Sequence, residues 1–152
     1  MTDNIQIREM TMEDYEQVHE LWMTIHGFGI RSLDDSRDYV ERFIRRNPTT
    51  SIVAVCGGKV VGTILCGHDG RHGCFYHVCV AESYRKQGIG KAMAVYAMKA
   101  LQQEGISKVT LVAYKHNTVG NQFWNSVGWT LRDDFNTYEF ILNEANITRF
   151  NE

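Results

Sequence analysis

Apolar residues recur along this chain in two periods, and the switches between them mark its elements. Ile5, Ile7 and Met10 predict a first strand. Thr11-Met12-Glu13-Asp14 resembles a capping box, and Tyr15, Val18, Leu21, Trp22 and Ile25 follow at helical spacing until His26-Gly27-Phe28-Gly29 breaks the pattern. A second helix is predicted from near Asp34, with Tyr39, Val40, Phe43 and Ile44 on one face and Asn47-Pro48 at its end. Segments 51–56 and 60–66 flank Gly57-Gly58-Lys59 and read as a hairpin. The polar, glycine-rich stretch 67–73 then leads into a strand from Cys74 to Val80.

From Gly88 to Glu104, positions 89, 92, 93, 96, 97, 100 and 101 form an apolar stripe that Gly105 stops. Lys108 to Ala113 predict another strand, and Val119 to Val127 a shorter helix closed by Gly128. Trp129–Leu131 and Tyr138–Leu142 predict a final antiparallel pair. No linker, repeat or low-complexity tract intervenes, so residues 1–152 read as one domain. Its order is strand, two helices, three strands, helix, strand, helix, two strands. That order fits an α/β (α+β) fold with a mostly antiparallel sheet and helices on its faces. Segment 74–113 is expected to form a right-handed parallel crossover.

Composition narrows the function classes. At 152 residues, 43% apolar and 22% charged, the chain suits a soluble domain with a proper core. A net charge of −2 argues against nucleic-acid binding. No run approaches membrane-spanning length and Met1-Thr2-Asp3-Asn4 lacks signal-peptide character, which predicts a cytoplasmic protein. Cys56, Cys66, Cys74 and Cys79 lie in apolar segments as small buried hydrophobes. His68, His72 and Cys74 match no zinc spacing, so no metal site is expected.

The chemistry begins at Arg85-Lys86-Gln87-Gly88-Ile89-Gly90, which opens a helix directly after a strand. Free backbone N–H groups and the positive end of the helix dipole coincide there, a seat for a phosphate group. The loop is neither a P-loop nor a dinucleotide fingerprint, because the further glycines and the Gly-Lys-Ser/Thr are missing.

Val78-Cys79-Val80, then Arg85-x-x-Gly88-x-Gly90, then Asn117-x-x-Gly120-x-x-Phe123-Trp124-x-x-x-Gly128-Trp129 resembles the GNAT superfamily of N-acetyltransferases over nearly the whole chain. Gly62-Thr63 through the 67–73 turn to Tyr76 looks like its small, single-domain bacterial subgroup. The resemblance implies a six- to seven-stranded mixed sheet with a central splayed parallel pair, and acetyl-CoA held in the splay. Val78 and Val80 would pair with the pantetheine amides. The N–H groups of Gln87, Gly88, Ile89, Gly90, Lys91 and Ala92 would hold the pyrophosphate, with charge from Arg85 and Lys86. Asn117 would contact pantetheine or cap its helix, and Phe123 and Trp124 would pack near the cofactor tail.

The implied reaction is direct attack of a neutral amine on the thioester in a ternary complex. It calls for a base, an oxyanion donor and an acid for the leaving thiolate. The Cys79 backbone N–H is the expected oxyanion donor. Trp124 stands where the family's acidic tyrosine usually is, which leaves Tyr114, Tyr138 or water. His77 is the leading base candidate, since imidazole changes charge nearest neutral pH; Glu20, His26 and His116 are weaker ones. The acceptor is expected between the 26–33 loop, the 67–73 turn and the last hairpin, with Trp22, His26, Phe28 and Tyr76 as its contacts and Trp129 and Tyr138 as further walls. Asp69, Asp133, Asp134 and Glu139 are carboxylates that could draw a cationic amine there. A small-molecule amine is the expected acceptor. The alternatives are a peptide N-terminus or lysine, or an acyl-CoA sensor without turnover. Monomer and homodimer both fit.

Overall fold

In the computed structural model, which describes residues 4–152, the chain begins with β1 (Ile5–Glu9), a 3-10 turn (Met12–Asp14), α1 (Tyr15–Thr24), β2 (Gly29–Arg31) and α2 (Arg37–Arg46). It continues through β3 (Ile52–Cys56), β4 (Lys59–His68), β5 (Gly73–Val80), a second 3-10 turn (Glu82–Tyr84) and α3 (Ile89–Gln103). β6 (Val109–Leu111), α4 (Thr118–Ser126) and β7 (Thr148–Phe150) complete it. One mixed sheet has the order β1-β3-β4-β5-β6. Its neighbours are antiparallel except β5 and β6, which run parallel with Gly73 opposite Val109 and Phe75 opposite Leu111.

Strand alternation divides the core between the sheet's two faces. Ile52, Ala54, Val61 and Ile64 pack on the α3 side with Met93, Ala97 and Leu101. Val53, Val55, Val60 and Leu65 pack on the other side with Val18, Trp22 and Val40 of α1 and α2. Burying each large aliphatic side chain contributes about 1.5–3 kcal/mol, so β4, apolar on both faces, fixes the middle of the molecule. The N-terminal cap is also built as its spacing suggests. The Asp14 carboxylate accepts the Thr11 N–H at 2.9 Å and two Arg8 N–H groups at 2.8 Å each. Burial alone pushes the Asp14 carboxyl up, but the Arg8 and Thr11 donors outweigh it and hold the group below its ordinary 3.8.

The end of the chain departs from expectation. Trp129–Leu131 and Tyr138–Leu142 form no strands, and residues 130–142 are exposed. Alternation shows that a segment can be a strand, whereas pairing decides whether it is one. The strand that does form is β7, which pairs antiparallel with β2, Gly29 opposite Phe150 and Arg31 opposite Thr148, where the sequence suggested only a helix break. The main sheet therefore has five strands instead of six to seven. β6 is also shorter than the predicted 108–113 strand, and that shortness shapes the site.

Candidate active site

β5 pairs with β6 only as far as Phe75 and Leu111, yet β5 itself runs on to Val80. Residues 76–80 thus have β4 on one side and no strand on the other. A β-bulge lies at this opening. Leu65 is opposite Tyr76 and Thr63 opposite Cys79, so Ile64 alone faces both His77 and Val78. His77 takes a left-handed φ of 47°, which costs about 1–3 kcal/mol for a non-glycine residue.

The extra residue turns Tyr76 and His77 to the same face of the sheet. Tyr76 meets Phe43 edge-on at 6.0 Å, while the His77 ring lies 4.7 Å from Trp22 and 5.1 Å from Phe28. The bulge is held by hydrogen bonds. The buried Thr63 hydroxyl donates to the His77 carbonyl at 2.9 Å and accepts the Trp22 Nε1–H at 3.0 Å. His77 Nε2 is 2.8 Å from Asp35 Oδ1. A carboxylate only accepts, so Nε2 carries the proton and Nδ1 is the basic nitrogen. Asp35, itself buried, is fixed through Oδ2 by the Arg31 N–H at 2.6 Å. Among the described residues no buried side-chain nitrogen or oxygen lacks a partner. His77 Nδ1 has no protein partner and so is not fully buried, in a side chain that is 13% exposed.

Backbone direction follows from the ladder. The Ala81 N–H donates to Val61 O at 2.8 Å, and Thr63 lies opposite Cys79 two residues along. Antiparallel pairs alternate in direction, so the Cys79 N–H points to β4, and those of Val78 and Val80 point into the opening. The Cys79 N–H, the expected oxyanion donor, is thus turned away from the opening, because the bulge shifts the alternation by one residue. The Cys79 thiol is buried against Thr63 and pushed up to about 11 by that burial, as Cys66 is to about 12. Neither is a nucleophile at neutral pH.

At the strand's end, Lys86 and Gly88 both take left-handed φ angles, 63° and 81°. Successive turns of this kind aim backbone N–H groups at one point. Among the described residues, no protein acceptor meets the N–H groups of residues 87–91; the Ala92 N–H is the first returned to the loop, at 3.0 Å from Gly88 O. Arg85 does more than add charge, since its Nε donates to Val80 O at 3.0 Å and ties the loop to the strand. A Cβ on Gly90 would come within 3.2 Å of the Phe123 ring, so glycine lets α4 close on the start of α3. Asn117 caps α4 by accepting the Gly120 N–H at 3.0 Å. Trp124 packs with Phe75 at 6.2 Å and Trp129 at 4.7 Å, as a wall of the core. A hollow of about 310 Å³ opens between the first residues of β1 and the Gln87–Ala92 loop. Free N–H donors at a helix start fit a pyrophosphate, and an unpaired strand edge fits a chain of amides. The residues present thus fit coenzyme A.

The other predicted contacts divide. Phe28 and the half-exposed Tyr76 flank His77, and burial with the neighbouring Cys74 pushes the Tyr76 phenol up to about 12, so it stays a donor. Trp22 is 0% exposed and backs His77 from behind, leaving no ring surface for an acceptor. His26 Nδ1 lies 2.7 Å from the Glu152 carbonyl at the chain's end. Tyr114 stacks on the exposed His116 at 5.5 Å and meets Phe150 at 5.6 Å. Tyr138 is 89% exposed and is not brought to the site, because the hairpin that would carry it does not form. Asp69 binds the N–H groups of Arg71 and His72, Asp134 pairs with Arg132, and Glu20 is exposed on α1.

Sequence reasoning missed Asp35, Thr63 and the C-terminal residues. Asp35 lies 42 positions from His77, and only its place beside the helix cap Ser36 singles it out. Asn146 Oδ1 accepts the Leu33 and Asp34 N–H groups at 3.0 and 3.2 Å, and Asn151 Nδ2 donates to the Trp22 and Ile25 carbonyls at 2.8 and 2.9 Å. The tail is thereby tied to the loop beside His77.

Comparison with known proteins bears on the family and the fold. The model of the acetyltransferase (GNAT) family matches residues 6–129. An acetyltransferase of Photorhabdus laumondii is 32% identical over 74% of this chain and 78% of its own length. One of Sodalis glossinidius is 29% identical over 85% of this chain and 89% of its own. The PaiA N-acetyltransferase of Thermoplasma acidophilum, solved in complex with coenzyme A, superposes with a TM-score of 0.72 at 18% identity, covering 95% and 96% of the two chains.

Proposed function

The chain belongs to the GNAT acetyltransferase family and is an acetyl-CoA-dependent N-acetyltransferase, and on that footing we propose that it acetylates a primary amine of a small molecule by direct attack in a ternary complex. The observation that carries this reading is the His77–Asp35 pair beside the opening of β5. Acetyl-CoA supplies the activated acyl group. His77 Nδ1 takes the proton from the incoming ammonium while Asp35 holds the other ring nitrogen, as a base and its orienting carboxylate do elsewhere. The Val78 N–H steadies the carbonyl oxygen that gains charge. The inert thiols support direct transfer over an acyl-cysteine route. Tyr114 is the phenol left to assist departure of the thiolate, with water as the other proton source.

A small acceptor is favoured over a peptide because β7 and the residues around it are tied across the 26–34 loop, narrowing the approach to His77. Thiol release measured with a panel of small amines and N-terminal peptides tests this choice. The expected result is release with small amines and little with peptides, with intersecting initial-rate lines. Faster release with peptides would move the acceptor to the protein class, and parallel lines would contradict direct attack.

A further inference from the structure

Thr63, in the middle of β4 and 0% exposed, joins three parts of the molecule through one hydroxyl. Its Oγ1 lies 3.0 Å from Trp22 Nε1, 2.9 Å from the His77 carbonyl oxygen and 3.3 Å from Cys79 Sγ. The chemistry of the partners assigns each proton. An indole N–H only donates and a carbonyl only accepts, so Thr63 receives the Trp22 proton and gives its own to His77. One lone pair remains, and the Cys79 thiol, kept protonated by its burial, donates to it. The hydroxyl is then saturated, with one bond given and two received.

The three partners belong to different parts of the site. Trp22 comes from α1, and its ring lies 4.7 Å from the His77 ring. The His77 carbonyl belongs to the residue whose φ of 47° makes the bulge, and Cys79 follows two residues on. Two residues of β5 face Ile64 alone there, so the β4 backbone cannot pair with both. The Thr63 side chain meets the His77 carbonyl instead, where a valine of the same shape would present a methyl group. Its neighbour Gly62 serves a separate end: a Cβ there would lie 2.9 Å from Met93 Cε, so glycine admits α3.

We propose, on the reading of His77 as the base, that Thr63 is a positioning residue of the acetyl transfer, its hydroxyl fixing the backbone that carries the His77 ring. Being fully buried, Thr63 acts only through the strand it holds. Valine in its place leaves the Trp22 N–H and the His77 carbonyl without this partner, which is costly for buried groups. The bond that offsets the strained φ at His77 is lost with it.

A double-mutant cycle on the full chain tests this, reading amine-dependent thiol release together with Kd for coenzyme A on the same samples. Thr63→Val is expected to lower kcat about tenfold or more, with Kd for coenzyme A within a factor of about two of wild type. Thr63→Ser keeps the hydroxyl and should recover most of the loss. In a His77→Ala background, Thr63→Val should change kcat by less than about twofold, because the group it positions is gone. If the valine variant does not fold, Thr63→Ala takes its place in the cycle with the same expectations. A wild-type kcat in the Thr63 variant, an equal fall in both backgrounds, or no recovery with serine overturns the proposal. A wild-type kcat in His77→Ala alone would instead remove the base, and the positioning role with it.

Discussion

His77 combines a strained backbone, a ring packed between two aromatics and a fixed proton, and each has a separate cause. The bulge sets the backbone, Trp22 and Phe28 enclose the ring, and Asp35 takes the Nε2 proton. In the proposed reaction Asp35 acts through His77, as a positioning residue. Asp35→Asn keeps an oxygen for the Arg31 N–H but offers His77 no second acceptor. We expect kcat to fall about tenfold or more with KM for acetyl-CoA unchanged, and Asp35→Glu to recover part of the loss. Steady-state kinetics check this, and an unchanged kcat would make Asp35 purely structural. His77 was legible as an imidazole on the strand before the glycine loop. Its partner was not, because a contact across 42 positions leaves no spacing pattern.

A second residue-scale test concerns Asp14. Its folded-state carboxyl is held below the ordinary 3.8 by the Arg8 and Thr11 donors, against burial. The unfolded chain therefore binds that proton more readily. The stabilisation is whole above about pH 4 and fades as pH falls through the lowered folded value. Asp14→Asn is expected to cost about 1–3 kcal/mol near neutrality. Its melting temperature should fall less than wild type between about pH 6 and about pH 3, which scanning calorimetry reads; an equal fall would remove Asp14 from the acid response.

At the scale of elements, the opening beside β5 exists because β6 is shorter, and α3 starts next to it with unsatisfied N–H groups. The loop was legible because its glycines, its cations and the strand before it are local signals. The direction of the Cys79 N–H was not, since a bulge cannot be counted from one strand's sequence. The final pair was also misread, because the alternation at 138–142 carries no information about where a partner strand lies. Gly88→Glu tests the loop. It forces a side chain onto a φ of 81° and puts a carboxylate where phosphate is expected. Calorimetric Kd for coenzyme A should rise about a hundredfold or more, and a Kd within a factor of about two of wild type would move the cofactor elsewhere.

Across the whole molecule, the C-terminal residues are bonded to the segment that flanks the proposed acceptor side of His77. Asn151 bonds the Trp22 and Ile25 carbonyls, and β7 pairs with β2 beside Phe28. Ending the chain at Ala145 is expected to raise KM for the amine roughly tenfold while leaving Kd for coenzyme A in place. A loss of cofactor binding instead would mean that the tail supports the sheet and not the acceptor end.

In the proposed reaction His77 serves as the base beside the splayed strands. The most direct test is the rate of amine-dependent thiol release by wild type and His77→Ala, with coenzyme A affinity measured on the same samples. The expected result is a fall of about a hundredfold in kcat with Kd for coenzyme A unaltered. Equal turnover by the two proteins would contradict it and leave His77 as a packed, hydrogen-bonded core residue.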